Sequence, residues 1–242
     1  MENLEKKYIS GVVFPSFTEY CFLNNGNNLT LDNLLNKYRG KVWNVLGDSL
    51  TYINNSNSDK NYFNFVDDYL GFKQINNYGA NGSCLSSLPK TANPCMAKRY
   101  KNMPDADLVT VFGGINDLWA NGKLGSLSDT TDESVYGALK VLMEGLIKKY
   151  PNSDILFITP IKQNHAQCSD PNTNGLTLKQ VRDAICEVAE IYSLPVLDLY
   201  SESGICPSLA IHKTTYTSDG LHLNKMGHEK IGYKILKKLM TL

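Results

Sequence analysis

Val42-Trp43-Asn44-Val45-Leu46 is a short apolar run that stops at Gly47-Asp48-Ser49-Leu50. A run of this length closed by a glycine reads as a buried strand with a serine just past its end. The pattern returns along the chain. Lys73 to Tyr78 reads as a second strand and Leu108-Val109-Thr110-Val111-Phe112 as a third, again ending in glycines. Ile155-Leu156-Phe157-Ile158-Thr159 reads as a fourth and Pro195-Val196-Leu197-Asp198-Leu199 as a fifth.

Helical spacing fills the intervals. Tyr62 to Leu70 carries apolar residues three and four apart and meets a glycine stop at Gly71. Glu133 to Tyr150 is amphipathic, with Val135, Leu139, Leu142, Leu146 and Ile147 on one face and Pro151 just beyond. Leu176 to Tyr192 turns Val181, Ile185, Val188 and Ala189 inward, and Asn224 to Leu239 closes the chain. Strands alternating with helices form βαβ units, hence an α/β fold with a mostly parallel sheet covered on both faces. Ligands in such sheets bind beyond the carboxyl ends of the strands.

Residues 1–40 break this rhythm. They hold an Asn-rich stretch, Asn24-Asn25-Gly26-Asn27-Asn28, and one apolar patch around Leu29-Thr30-Leu31 and Leu34-Leu35. They read as an N-terminal extension with one short helix, N-capped near Thr30, with Asp32 in its first turn and Gly40 closing it. Residues 41–242 then form the domain.

At 242 residues the chain has the length of one domain plus an appendage. Lys and Arg total 24 and Asp and Glu total 24. That balance argues against an electrostatic nucleic-acid binder, which carries a basic stripe. Nothing approaches the roughly 18 apolar residues of a membrane helix. The start, Met1 to Lys7, lacks a secretory signal, and the apolar stretch Ile9 to Phe14 is short and broken. The expectation is a soluble protein, cytoplasmic or associated with a virion or cell surface. Six cysteines (Cys21, Cys84, Cys95, Cys168, Cys186, Cys206) contain no C-x-x-C and read as free thiols, with pairing of Cys84 and Cys95 across a loop left open.

Four segments lie at the strand ends. They are Gly47-Asp48-Ser49-Leu50, Asn77-Tyr78-Gly79-Ala80-Asn81-Gly82, Gly113-Gly114-Ile115-Asn116-Asp117 and Asp219-Gly220-Leu221-His222. Each has a structural reading alone: a capping turn at Ser49, a tight turn at Gly113-Gly114, a helix cap at Asn116-Asp117, a capped loop at Asp219 and His222. Together they supply one mechanism. A serine hydroxyl becomes a nucleophile when a base takes its proton. His222 supplies the base, and Asp219, three residues earlier, can accept from its Nδ1–H. The Ser49 N–H, the Gly82 N–H and the Asn116 amide are candidate donors to a developing oxyanion. Glycine suits position 82, where the backbone must approach the substrate in a conformation that a side chain disfavours.

On these motifs the chain resembles the SGNH, or GDSL-type, hydrolases over about residues 41–242. Gly47-Asp48-Ser49-Leu50 matches the first block and Asn77-x-Gly79-x-x-Gly82 the second. Gly114-x-Asn116-Asp117 matches the third and Asp219-x-x-His222 the fifth. The resemblance implies a three-layer α/β/α sandwich with a five-stranded parallel sheet of flavodoxin-like order. It implies Ser49 as nucleophile, Gly82 and Asn116 as oxyanion donors, and Asp219 and His222 as the other triad members. It implies no cofactor and no metal. One departure is Thr51-Tyr52-Ile53, where family members often carry a glycine; Tyr52 is expected to shape the pocket wall.

Other residues receive quieter readings. His165 and His212 are expected as surface histidines on loops, and His228 as a solvated residue of the last helix. A zinc site from Cys168, Cys206, His165 and His212 would need a coincidence of folding. Trp119 is a rim aromatic or a core or lid residue. The loops 118–131, 160–176 and 203–217 are long and are expected to build the substrate pocket. The sequence thus predicts a serine esterase for short acyl esters, with O-acetyl groups on carbohydrate favoured; it shows no long apolar lid helix of the kind an interfacial lipase carries, which favours a small polar-rimmed pocket. The alternatives are a lysophospholipase or thioesterase with the same triad, or a non-catalytic glycan-binding module of a phage tail or cell surface. The expected partner is a small-molecule or carbohydrate ester, neither nucleic acid nor a membrane, with the oligomeric state open.

Overall fold

The computed structural model of the chain describes residues 31–52, 59–88, 91 and 93–242. The Asn-rich stretch, the expected cap at Thr30, Cys21 and Ile53 lie outside them. Helix α1, Leu31–Asn36, is followed by a turn to Gly40. Strand β1, Val42–Gly47, leads by way of the serine turn to helix α2, Tyr62–Leu70, and strand β2, Gln74–Gly79. Helix α3, Met96–Arg99, precedes β3, Leu108–Phe112, and the short helix α4, Ile115–Trp119. Helix α5, Val135–Lys149, β4, Asp154–Ile158, helix α6, Leu178–Ile191, and β5, Val196–Leu197, follow. Helices α7, Leu199–Glu202, α8, Ala210–Tyr216, and α9, Lys225–Leu239, complete the described chain.

All four strand pairings are parallel, in the order β2-β1-β3-β4-β5. This is the flavodoxin-like order, and it places a change of winding direction between β1 and β3. Period-two alternation divides the apolar strand residues between two cores. Val109, Val111, Ile155 and Phe157 pack with α5 and α6 on one face. Leu108, Phe112, Leu156 and Ile158 pack with α2 and α9 on the other. Tyr38 belongs to the second core, its ring stacked on Phe72 at 5.6 Å. Thr110, buried among apolar neighbours, accepts a hydrogen bond from Trp43 Nε1 at 2.9 Å, which satisfies both polar groups.

Local chemistry sets the element ends. Asn61 and Asn64 form a reciprocal capping box on α2, and Gly71 ends it in a left-handed conformation at φ 62°. Thr177 and Gln180 do the same at the start of α6. Strand β5 is shorter than its apolar pattern predicts. Asp198 leaves the strand to cap α7 and takes charged hydrogen bonds from Arg182, so Leu199 is helical. The expected irregular loop 203–217 contains α8, none of whose side chains is buried. Without a buried face it has no apolar periodicity for a sequence reading to detect.

Candidate active site

The five residues singled out at the strand ends occupy one edge of the sheet. Ser49 lies in the turn after β1 and is 8% exposed. Its Oγ is 3.1 Å from His222 Nε2. His222 Nδ1 is 2.7 Å from Asp219 Oδ2. The other Asp219 oxygen accepts from the Leu221 and His222 N–H groups at 2.9 and 2.8 Å, so the carboxylate is fixed before it meets the imidazole. Burial pushes the Asp219 carboxyl up. The bonds from the His222 ring and backbone and from Leu221 outweigh it and hold the group below its ordinary value.

Gly82 has φ 68°, and a Cβ there would meet no atom within 4 Å. Conformation rather than crowding therefore calls for glycine at this turn. Asn116 sits in the first turn of α4 and its Nδ2 donates to Ser83 O at 3.3 Å, one residue from Gly82. Asp117 is fully buried and accepts from Leu85 N, Ser86 N and the Ser86 hydroxyl. The loop bearing Gly82 and the helix bearing Asn116 are thus bonded to each other. Burial pushes the Asp117 carboxyl up against those hydrogen bonds.

Arg99, which the sequence reading passed over, binds the same region from α3. It donates to Tyr78 O at 2.6 Å, Gly47 O at 2.7 Å, Pro94 O at 3.0 Å and the Ser83 hydroxyl. One guanidinium thereby ties the carboxyl ends of β1 and β2 to the loop after Gly82. Asp48, beside Ser49, is buried; its Oδ1 accepts from Leu50 N, and Oδ2 meets no partner among the described residues. Burial raises its carboxyl to about 7, against the pull of the Leu50 N–H and the charges of His222 and Arg99.

Three expectations for other residues change. His228 is buried, not solvated, at 1% exposure, and its ring stacks on Tyr62. It shares the inward face of α9 with Ile231 and Ile235, three and seven residues on. His212 is half-buried, its Nδ1 accepting from Cys206 N. His165 comes to the site itself: its Nε2 is 3.7 Å from Asp219 Oδ2. Trp119 is 40% exposed and its ring lies 4.9 Å from that of His165, which makes it a rim residue. Thr51 is buried against Tyr62 OH, while Tyr52 is partly exposed beside the serine turn. The described cysteines, Cys84, Cys95, Cys168, Cys186 and Cys206, are free. Among the described residues no three His, Cys, Asp or Glu side chains are grouped to hold a metal ion. No described helix is long and apolar enough to cross a membrane.

A five-stranded parallel sheet with these motifs at one edge defines an α/β hydrolase of the SGNH type, and the comparisons agree. The sequence profile of the GDSL-like lipase/acylhydrolase family matches residues 45–230. The chain belongs to that family. A protein from Lactobacillus plantarum is similar, at 30% identity and a TM-score of 0.77, over 84% of this chain and 98% of that one. A lipase/acylhydrolase from Enterococcus faecalis shares the fold at 20% identity and a TM-score of 0.56, over 83% and 96%. So does a variant of an acetyl-xylooligosaccharide esterase from Geobacillus, at 16% identity and a TM-score of 0.57, over 84% and 96%. No curated protein matches the chain.

Proposed function

We propose that the protein is a serine esterase that hydrolyses short-chain acyl esters, with O-acetyl groups on carbohydrate as its favoured substrates. The observation that carries this reading is the continuous run of contacts from Ser49 Oγ through His222 to Asp219. In the proposed reaction His222 Nε2 takes the Ser49 proton as Oγ attacks the ester carbonyl. The Ser49 and Gly82 N–H groups and the Asn116 amide receive the charge that develops on the carbonyl oxygen. The tetrahedral intermediate collapses, His222 returns the proton to the departing alcohol, and an acyl-serine remains. Water, deprotonated by the same imidazole, releases the acid and restores Ser49.

A sugar alcohol is favoured by Trp119, whose exposed ring stands beside His165 and so on the Asp219 flank of the triad. An exposed indole offers a flat apolar face to a pyranose ring while its N–H remains wet. Hydrolysis of p-nitrophenyl esters from acetate to long chains, beside acetate release from an acetylated xylooligosaccharide, tests the reading. The expected result is the highest kcat/KM on acetyl esters and release of acetate from the sugar. Preference for long acyl chains or lysophospholipids would favour the lysophospholipase alternative. Glycan binding with no turnover would favour a binding module.

A further inference from the structure

The turn that carries Gly82 hangs from one guanidinium by way of Ser83. Ser83 is buried, and each of its polar groups is engaged. Its N–H donates to Ala80 O at 3.1 Å, which closes the turn around Asn81 and Gly82. Its carbonyl accepts from Asn116 Nδ2 at 3.3 Å. Its hydroxyl donates to Pro94 O at 2.9 Å and accepts from Arg99 Nε at 3.2 Å and Nη2 at 3.0 Å. The same guanidinium donates from Nη1 to Tyr78 O at 2.6 Å and from Nη2 to Gly47 O at 2.7 Å. Gly47 stands two residues before Ser49. A planar fork of five N–H donors can serve three chain segments at once, where an ammonium on a flexible stem acts as a point charge. The backbone of α3 is fixed by other means. Met96 N donates to Cys84 O at 2.8 Å, and Met96 and Ala97 are buried, so the helix is held whatever side chain stands at position 99.

We propose that Arg99 is a positioning residue for the oxyanion donors: through Ser83 it holds the Gly82 turn, and through Gly47 the serine turn, at the separation where the Gly82 and Ser49 N–H groups converge on one carbonyl oxygen. The proposal rests on the reading of Ser49 as nucleophile and of Gly82 and Asn116 as oxyanion donors. The pairing of β1 with β2 ends at Gly47 and Gly79, and Ala80 N still reaches Gly47 O at 3.1 Å. Ser49 and Gly82 lie beyond these bonds, so the sheet does not set their distance. A turn with glycine at φ 68° is also free to move unless something outside it fixes it. Oxyanion donors act only when held within about 3 Å of the developing charge. A displacement of about 1 Å can cost on the order of 10²-fold in rate. Asn116 follows the same brace, because its amide is bonded to Ser83 O. Loss of the guanidinium therefore loosens the donors toward one another and leaves the contacts among Ser49, His222 and Asp219 in place.

The test is kcat and KM on p-nitrophenyl acetate, with Ki for a trifluoromethyl ketone, in wild type, Arg99→Lys, Arg99→Met and Ser83→Ala. Each is measured at a temperature where its melting curve shows it folded. The ketone's adduct with a serine places an oxyanion where the ester's own would develop. Lysine keeps the charge and loses the fork, methionine loses both, and Ser83→Ala cuts only the link to the Gly82 turn. The expected result is a kcat lower by roughly 10–10²-fold in both Arg99 variants and by about tenfold in Ser83→Ala, with KM within about threefold of wild type and Ki raised by the same factor as kcat falls. Variants that melt earlier but keep wild-type kcat and Ki would make Arg99 a brace for stability alone and overturn the proposal. A raised KM at constant kcat overturns it too. If the Arg99 variants do not fold, Ser83→Ala decides, and wild-type kcat and Ki there overturn the proposal. Ser49→Ala run beside them separates the failures. Wild-type turnover by that variant overturns the nucleophile reading itself, whereas an inactive Ser49→Ala beside unimpaired Arg99 variants overturns the role of Arg99 alone.

Discussion

Asn116 brings one side-chain amide to the site from the first turn of α4, and its bond to Ser83 O holds it beside Gly82. The charge it is proposed to receive exists near the transition state and not on the bound ester. Asn116→Ala is therefore expected to lower kcat by roughly 10²–10³ with little change in KM, measured by steady-state kinetics on an acetyl ester. A rise in KM at constant kcat would make Asn116 a substrate-binding group. At this scale the sequence was legible where chemistry and chain position coincide. Ser49, Gly82, Asn116, Asp219 and His222 each follow or adjoin a recognisable element end. Arg99, the tie Asp117 makes to Leu85 and the placement of His165 beside Asp219 were not legible. Arg99 meets Gly47 from 52 positions away and Asp117 meets Leu85 from 32, and no local spacing encodes such pairs.

Among the elements, α9 shows what periodicity resolves and what residue type conceals. Its spacing places position 228 on the buried face with Ile231 and Ile235, yet a histidine there invites a solvent reading. The ring is buried, its Nδ1 meets no partner among the described residues, and burial lowers its pKa to about 4. In the unfolded chain the same ring has its ordinary value, near ~6.5. Below that pH the unfolded chain takes up a proton that the folded state refuses, so stability falls from about pH 6.5 down to about 4 and is unaffected above. His228→Phe removes this contribution. Urea melts at pH 7 and pH 4.5 are expected to show a smaller acid loss in the variant than in wild type, by about 2 kcal/mol. Equal losses would mean that His228 titrates alike in both states. The same contrast explains α8 and β5. A helix with no buried face and a strand cut short by the Asp198–Arg182 pair are decided by contacts, not by pattern.

For the whole molecule, the order β2-β1-β3-β4-β5 turns a linear set of motifs into a site. β1 lies between β2 and β3, so the serine turn, the Gly82 loop and the Asn116 helix leave adjacent strands at the same edge. The Asp219–His222 turn, just before α9, closes on them from 173 positions away. The alternation of strands and helices was legible where the runs are short, apolar and buried, as in β1, β3 and β4; β2, at the sheet edge, is polar and only half-buried. The central claim is that this edge performs acyl transfer through Ser49. Turnover of an acetyl ester by purified Ser49→Ala, with its melting temperature beside that of wild type, tests it most directly. A folded variant is predicted to lose kcat by a factor on the order of 10⁶, and one that keeps more than about a tenth of wild-type activity would contradict the account.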